Sequence, residues 1–488
     1  MTDPFDLLIR GGMVIDGTGA PRRAADLGVR GARIAAIGDL GASRAGHEID
    51  ARGLIVAPGF IDAHTHDDRA LLADPGMAAK VSQGVTTVVA GNCGISLAPM
   101  PQPIAGPVTP PLDLLDATGD WYRFRRFADY LDALRDSPAA VNMAAYVGHT
   151  TLRAIAMDDL DRAASGAEIA AMQELVAEAM AAGAIGVSTG LAYPPARAAT
   201  TEEVIEICRP MVAQGGLYAT HMRDESEGTM ASLDETFAIG RALGVQVLIS
   251  HHKLTGTACH GQSVQTLQVI AARRGEQRVS LDCYPYAASS TILMLDHVET
   301  SDRTLVTWSR GMPEQAGRDM AEIAADLGCG LAEAVARLQP AGAVYFRMDE
   351  ADVQRILAFD PTMIGSDGLP HDEFPHPRLW GTFPRVLGHY ARDLGLFSLE
   401  TAVHKMTGLA AAEFGFADRG VLRTGAFADL VLFDAGTIED RATFEAPTRP
   451  ARGISAVIVN GAPVWQDGAE TGARPGRVLH RNGGPATA

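Results

Sequence analysis

Several side chains that can bind a transition metal stand at the ends of separate apolar, β-branched segments. His64 and His66 close the segment 54–66, and Asp367 closes the segment 361–368. Three further segments end on single residues of this kind, namely Cys93, His221 and His251. A thiolate, several imidazoles and a carboxylate together form a ligand set that suits Zn²⁺. The sequence therefore predicts a zinc site, provided that the fold brings these segment ends together.

The elements that carry these residues repeat in a regular order from about residue 54 onward. Each unit is an apolar strand, a short loop and a helical pattern, for example 167–183 or 201–216, that closes with Gly. Eight strands are predicted, within 54–66, 84–94, 141–149, 184–190, 217–223, 245–253, 279–286 and 361–368. Eight strand–helix units with parallel strands form a (β/α)₈ TIM barrel, in which the C-terminal strand ends meet at one face. His64 and His66 are two residues apart, so both side chains are expected to point into the mouth of this α/β barrel.

The two ends of the chain and one long connection differ from this repeat. Residues 5–53 and 418–470 show short alternating strands separated by Gly and Asp turns, which predicts one small β-sandwich domain built from both termini. The predicted domain boundaries are 1–56 with 415–488 for the sandwich, and 57–414 for the barrel. The connection 287–355, between the seventh and eighth strands, is too long for a simple loop and helix. It contains a helical pattern at 317–328, and we predict that it is a lid-like insertion over the catalytic face.

Composition and charge narrow the class of protein. The chain has 488 residues, of which 47% are hydrophobic and 20% charged, as expected of a globular protein. A net charge of −18 argues against nucleic acid or anionic membrane surfaces as partners. The acidic N-terminus lacks the basic region of a signal peptide, no apolar run is long enough to span a membrane, and five cysteines are an odd and sparse set. We therefore expect a cytoplasmic protein with a small-molecule substrate, and the oligomeric state is left open.

Short motifs distributed over nearly the whole chain indicate a particular family. They are GFIDAHTHDD, GNCGIS, STGLAYPP, HMRDESEG, SHHK, DCYPY, GSDG with HPRLWGTFPR, and HKMTG with GVLRTGAFADLVLFD. Together they resemble the N-acyl-D-amino-acid deacylases, or D-aminoacylases, of the amidohydrolase superfamily. The HxH pair and ADLVLFD mark only the superfamily, whereas GNCG, SHHK and STGLAYPP point to the D-aminoacylase branch. The resemblance implies a zinc-dependent hydrolase that cleaves the amide bond of N-acyl-D-amino acids to a carboxylate and a free D-amino acid.

The resemblance also implies a role for each metal-capable residue. One zinc ion would be held tightly by Cys93, His221 and His251, and a second, weaker position would be formed by His64, His66 and Asp367. Zinc would polarise the scissile carbonyl. Asp367 would be the general base that takes the proton of the attacking water and then gives it to the departing amine.

Substrate recognition requires a cation, because an N-acyl amino acid carries an α-carboxylate. Lys253 is expected on the same side as His251, and Arg378 follows the eighth strand. Tyr193 and Tyr284 could donate hydrogen bonds to the carboxylate or to the developing oxyanion. His149 could line the pocket or support it from behind, and the sequence leaves both options open.

The side-chain preference is predicted from the stretch 289–298. In D-glutamate-specific relatives an Arg shortly after the seventh strand binds the acidic side chain, whereas this stretch contains no Arg or Lys. We therefore expect apolar D-side chains to be preferred, although Asp296 could instead favour a basic one.

Two other functions are compatible with the same fold. A hydantoinase- or dihydroorotase-like cyclic amide hydrolase would use the same barrel and HxH pair. Such relatives usually carry a carboxylated Lys on the fourth strand, and the segment AIGVSTG at 184–190 has none. A catalytically inactive scaffold on the same fold is the second alternative, which the complete ligand set disfavours.

Overall fold

The structure is a computed structural model that describes residues 4–102, 104 and 106–481. Its strands are β1 Phe5–Val14, β2 Arg23–Arg30, β3 Arg33–Gly38, β4 Ala45–Asp50, β5 Ile55–Pro58, β6 Phe60–Asp62, β7 Val85–Ala90, β8 Asn142–Ala145, β9 Val147–Gly148, β10 Gly186–Gly190, β11 Leu217–His221, β12 Val247–Ile249, β13 Val279–Cys283, β14 Ser289–Ile292, β15 Arg303–Ser309, β16 Ala341–Phe346, β17 Thr362–Ile364, β18 Leu430–Phe433, β19 Ile454–Val459, β20 Ala462–Gln466 and β21 Ala469–Glu470. Its α-helices are α1 Ala70–Ala73, α2 Ala78–Val81, α3 Phe127–Asp136, α4 His149–Ala156, α5 Gly166–Ala182, α6 Pro194–Arg197, α7 Thr201–Val212, α8 Thr229–Leu243, α9 Ser263–Arg274, α10 Leu295–Glu299, α11 Met320–Leu327, α12 Leu331–Leu338, α13 Glu350–Ala358, α14 Arg378–Arg385, α15 Leu399–Met406 and α16 Gly408–Phe414. Within these ranges no helix combines the length and the apolar character needed to cross a membrane.

Parallel strands form the centre of the molecule. One sheet has the order β6-β7-β8 and another the order β17-β13-β12-β11-β10-β9, with every neighbouring pair parallel. The Ala63 backbone N–H donates to the Ile364 carbonyl at 3.1 Å, which joins the end of β6 to β17. All eight predicted segments contain strands, although 54–66 is split into β5 and β6 and 141–149 into β8 and β9.

Helices follow the parallel strands as the sequence predicts. The predicted helix at 167–183 is α5, which begins with a reciprocal capping box between Ser165 and Glu168. The predicted helix at 201–216 is α7, whose first turn is capped by the Thr200 side chain. Helices α5, α7 and α8 pack against one another in sequence order, as expected for strand–helix repeats.

Both ends of the chain contribute to one nine-stranded sheet. Its order is β21-β20-β19-β18-β5-β1-β2-β3, and β4 pairs with β1. Strand β5 lies between β1 and β18, so the segment that leads into β6 is anchored by both termini. Leu7 and Val29 from the N-terminal part share a buried cluster with Leu430 and Ile458 from the C-terminal part.

The insertion between β13 and β17 has a sheet and an apolar core of its own. Its strands run antiparallel in the order β14-β16-β15, and the predicted helix at 317–328 is α11. Val306, Ile323, Leu338 and Tyr345 are buried together in this unit. The sequence pattern indicated helical pieces here but did not indicate the three strands.

Candidate metal centre and active site

The metal-capable side chains of the separate strand ends meet in one buried place. They form two groups that share Cys93: His64, His66, Cys93 and Asp367 in one, and Cys93, His221 and His251 in the other. Within each group the potential ligand atoms lie within 4.8 Å of one another. Cys93 Sγ is 3.3 Å from both His64 Nε2 and His251 Nε2, and Asp367 Oδ1 is 3.3 Å from His66 Nε2. Each group offers ligand atoms that are close enough together to hold a metal ion, and the two groups share the Cys93 thiol.

The backbone is strained at three of these residues. Cys93, His251 and Asp367 have φ values of 54°, 36° and 49°, in the left-handed region that residues other than Gly rarely occupy. The GNCG motif also has a steric reason, because a Cβ at Gly91 would lie 2.2 Å from the Tyr146 carbonyl oxygen. Strained conformations of this kind persist where the surrounding structure enforces them and are common at functional sites.

The charges in the cluster favour deprotonated ligands. Burial raises the pKa of the Cys93 thiol, but the imidazoles of His64 and His251 outweigh it, so that the pKa lies well below its usual value. Burial also raises the pKa of Asp367, but Arg378 and His251 lower it well below the usual range. A thiolate and a carboxylate among imidazoles match the donor set of a zinc site. The residues present therefore fit a divalent cation.

Glu225 and Asp282 support the ligands from behind, and the sequence analysis identified neither of them. Glu225 Oε1 lies 3.1 Å from His251 Nδ1, and Asp282 Oδ2 lies 3.5 Å from His64 Nδ1. Carboxylates in this position fix the tautomer and orientation of ligand imidazoles. The signal for Glu225 was its place four residues after His221 in HMRDE.

A second buried network, also missed, lies beneath the HxH pair. Lys80 is fully buried, and its Nζ lies 2.8 Å from Asp62 Oδ2, 2.9 Å from Ser366 Oγ and 3.2 Å from Asp67 Oδ2. Asp62 Oδ1 accepts hydrogen bonds from the backbone N–H groups of His64 and Ser366. The Lys80–Asp62 pair thus ties the loop of His64 and His66 to the loop of Asp367.

A cavity of about 660 Å³ opens beside the cluster. His66, His221, His251 and Asp367 line it, together with two of the predicted substrate-binding residues, Lys253 and Tyr193. Lys253 Nζ contacts His251 Nδ1 at 2.7 Å, so Lys253 does face the same side as that ligand, but it is also paired with Glu225. The Tyr193 hydroxyl lies 2.9 Å from Thr291 Oγ1 of the insertion.

Arg378 and Tyr284 do not line the cavity themselves, but Arg378 contacts Asp367 and Ser290, which do. The Arg378 guanidinium bonds Asp367 Oδ2 at 3.0 Å and the Ser290 carbonyl at 3.1 Å. It also lies 4.6 Å from the centroid of the Tyr284 ring. Both residues are fully buried, and the Nε and Nη1 groups of Arg378 have no hydrogen-bond partner among the described residues.

His149 and His252 both point away from the metal-capable cluster. His149 begins α4, its Nε2 lies 3.4 Å from Glu203 Oε1, and it is not among the residues that line the cavity. The turn into α4 directs the His149 imidazole toward α7, and a role in substrate binding stays a prediction. His252 Nε2 contacts Thr266 Oγ1 of α9 at 2.9 Å, away from the cluster, as strand alternation predicts.

Comparison with known proteins places this site in a family. The sequence profile of the amidohydrolase family matches residues 47–465. A D-aminoacylase of Alcaligenes xylosoxydans xylosoxydans is 64% identical over 98% of this chain and 98% of its own length. A solved structure of D-aminoacylase, from work on the functional role of its binuclear metal centre, superimposes with a TM-score of 0.95 at 62% identity, over 98% of this chain and 100% of the other.

A further solved structure is N-acyl-D-glutamate deacylase from Bordetella bronchiseptica, complexed with zinc and a phosphonate inhibitor. It superimposes with a TM-score of 0.94 at 48% identity, over 98% of this chain and 100% of the other. The fold is thus that of the D-aminoacylases and related deacylases. The chain belongs to the amidohydrolase family, in the branch formed by the N-acyl-D-amino-acid deacylases.

Proposed function

We propose that this protein hydrolyses the amide bond of N-acyl-D-amino acids, releasing a carboxylate and a free D-amino acid. The observation that carries this proposal is the position of Cys93 between the HxH pair on one side and His221 and His251 on the other. The similarity to D-aminoacylase over nearly the whole chain supports it. A hydantoinase-like mechanism is disfavoured because β10, Gly186–Gly190, contains no Lys that could be carboxylated.

A zinc ion would be held by Cys93, His221 and His251, and His64, His66 and Asp367 would form a second, weaker position. Zinc was present in the related deacylase complexed with the phosphonate inhibitor, which supports this choice of metal. When bound, zinc supplies Lewis-acid polarisation of a carbonyl group.

Asp367 is proposed to carry the proton. Its Oδ1 faces the two imidazoles of the HxH pair, while its Oδ2 is held by Arg378. As the water oxygen attacks the amide carbon, the water proton moves to the Asp367 carboxylate. The same proton then passes to the amide nitrogen as the C–N bond breaks, so the amine leaves neutral and Asp367 is restored.

The substrate is proposed to be oriented by its α-carboxylate. Lys253, Arg378 and Tyr284 would bind that group, and the Tyr193 hydroxyl would stabilise the oxyanion. Two fixed substituents at the α-carbon leave one direction for the side chain, so a single enantiomer fits. The relatives named above act on D-amino acid derivatives, which supports the D-configuration.

Apolar side chains are proposed to be preferred over acidic ones. Ile292 and Leu293 of the insertion are buried, and Met294 lines the cavity. These residues offer apolar contacts to a side chain such as that of D-leucine, D-methionine or D-phenylalanine.

The proposed architecture is a closed (β/α)₈ barrel over 57–414 with a β-sandwich formed by 1–56 and 415–488. The hydrogen bond from Ala63 to Ile364, which joins the first and last parallel strands, supports closure. The insertion 287–355 is proposed to be a lid, since its Thr291 contacts Tyr193 beside the cavity. The proposed location is the cytoplasm.

The proposal is tested by assaying the purified zinc-loaded enzyme on N-acetyl-D-leucine and on hydantoin. We expect free amine release from N-acetyl-D-leucine and negligible opening of the hydantoin ring. Ring opening without deacylation would support the cyclic amide hydrolase, and no activity on either substrate would support the inactive scaffold.

A further inference from the structure

The mechanism above does not use Arg347, a cationic side chain on the cavity wall. Arg347 follows β16 in the insertion and lines the cavity. Its Nε is buried without a hydrogen-bond partner, and its only side-chain bond among the described residues is from Nη1 to Thr300 Oγ1 at 3.4 Å. An unsatisfied donor of this kind in a native structure calls for a ligand, water or ion to complete it.

The other Lys and Arg side chains that line this cavity are either ion-paired or, as in Arg197, exposed to solvent. Lys253 is paired with Glu225 and Arg223 with Glu235, at 2.7 and 2.8 Å. In the described part of the chain, no carboxylate oxygen lies within 4.0 Å of the Arg347 guanidinium. Burial lowers the pKa of Arg347, although an Arg side chain stays charged in proteins. The positive charge of Arg347 is therefore less compensated than the charges of Lys253 and Arg223.

Arg347 also lies next to the residues proposed to bind the α-carboxylate. Its neighbour Met348 accepts a weak hydrogen bond from the Tyr284 hydroxyl, at 3.6 Å between oxygen and sulfur. The Tyr284 ring stacks against Arg378, which in turn holds Asp367. A substrate bound at Tyr284 and Arg378 would consequently extend along the wall that carries Arg347.

We propose that Arg347 binds a second carboxylate of the substrate, one that it carries in addition to its α-carboxylate. This inference rests on the proposed function and adds acidic N-acyl-D-amino acids as substrates that are accepted less well than apolar ones. The stretch 289–298 contains no cation, but the fold brings one to the same cavity from a position some fifty residues later. The second carboxylate could end the side chain, as in D-glutamate, or end the acyl group, as in an N-succinyl derivative.

The test compares kcat/KM for N-acetyl-D-glutamate, N-succinyl-D-leucine and N-acetyl-D-leucine in the wild type and in Arg347→Met. In Arg347→Met we expect the kcat/KM of one acidic substrate, divided by that of N-acetyl-D-leucine, to fall by about tenfold or more. This is the scale of a lost charge-assisted hydrogen bond. A fall with N-acetyl-D-glutamate places the carboxylate on the side chain, and a fall with N-succinyl-D-leucine places it on the acyl group. Arg347→Lys should retain most of the wild-type ratio, because it keeps the charge.

Arg197→Met is the matched control, since Arg197 lines the same cavity but is exposed. The variant removes the same charge and should change both ratios by less than about threefold, because exposed charges are well screened. An equal fall in Arg197→Met, or no fall in Arg347→Met for either acidic substrate, would overturn the inference. Normal hydrolysis of N-acetyl-D-leucine in that case leaves the proposed function intact, whereas its absence in the wild type defeats the proposed function itself.

Discussion

The substitution Lys80→Met examines how the two ligand loops are held together. Lys80 is fully buried, and its ammonium group lies within 3.2 Å of both Asp62 and Asp67. Removing one partner of a buried ion pair costs about 3–5 kcal/mol, because an uncompensated charge remains inside the protein. Here two carboxylates lose their cation, so we expect the free energy of unfolding to decrease by an amount near the upper end of that range.

The same substitution should have a selective effect on metal binding. Asp62 joins the backbone of His64 to that of Ser366, the residue before Asp367. Without Lys80 the loop of the HxH pair and the loop of Asp367 lose their common anchor. We therefore expect lower occupancy of the position formed by His64, His66 and Asp367, while zinc at Cys93, His221 and His251 is retained.

The assay combines urea unfolding with the metal-to-protein ratio after dialysis. Lys405→Met is the control, since Lys405 is similarly buried but, among the described residues, its Nζ donates only to the carbonyls of Phe359, Asp360 and Thr362. That change leaves no buried carboxylate unpaired, so its cost should be smaller and metal content unchanged. A loss below about 1 kcal/mol in Lys80→Met, or equal losses in both variants, would refute this reasoning.

Three further outcomes are expected. Cys93→Ala should lose tightly bound zinc and nearly all activity, whereas His64→Asn should lose only the weaker ion; full activity of a zinc-free Cys93→Ala protein would exclude the assignment. Asp367→Asn should lower kcat by about 10²-fold or more with the fold intact, and a drop below about tenfold would indicate a role only in the turn. Burial raises the pKa of Asp113 to about 7, so the folded protein binds this proton more tightly than the unfolded chain does. The stability that the bound proton contributes is lost as the pH rises through 7. Asp113→Asn should therefore unfold at a higher temperature than the wild type at pH 8, with a difference that vanishes near pH 4; a difference independent of pH would show that the carboxylate does not titrate in this way.

The order of strands and helices was predictable because apolar periodicity and capping residues are local signals. Ser165 before α5 and Thr200 before α7 mark helix starts in the sequence itself. The convergence of Cys93 and Asp367 followed from one general rule, namely that parallel strands of a repeating unit end on the same face.

The supporting contacts could not be predicted, because they join residues far apart in the chain. Lys80 contacts Ser366, which is 286 positions away in the chain. The sequence around Lys80 does not distinguish it from an ordinary surface Lys of a helix. Arg347 reaches the cavity only because the insertion forms its own antiparallel sheet, which the helical patterns in that segment concealed. The left-handed backbone at Cys93 likewise has no counterpart in residue type, since Cys is not among the residues enriched in this conformation.

Stereospecific amide hydrolysis is the central claim, and one comparison tests it most directly. The zinc-loaded enzyme is incubated with N-acetyl-D-leucine and N-acetyl-L-leucine separately, and free amine release gives kcat/KM for each. Because the α-carboxylate and the acyl carbonyl are both fixed, we expect the D-enantiomer to be hydrolysed at least about 10²-fold faster, a ratio equivalent to about 2.7 kcal/mol. Equal rates, or a preference for the L-enantiomer, would contradict the proposed function.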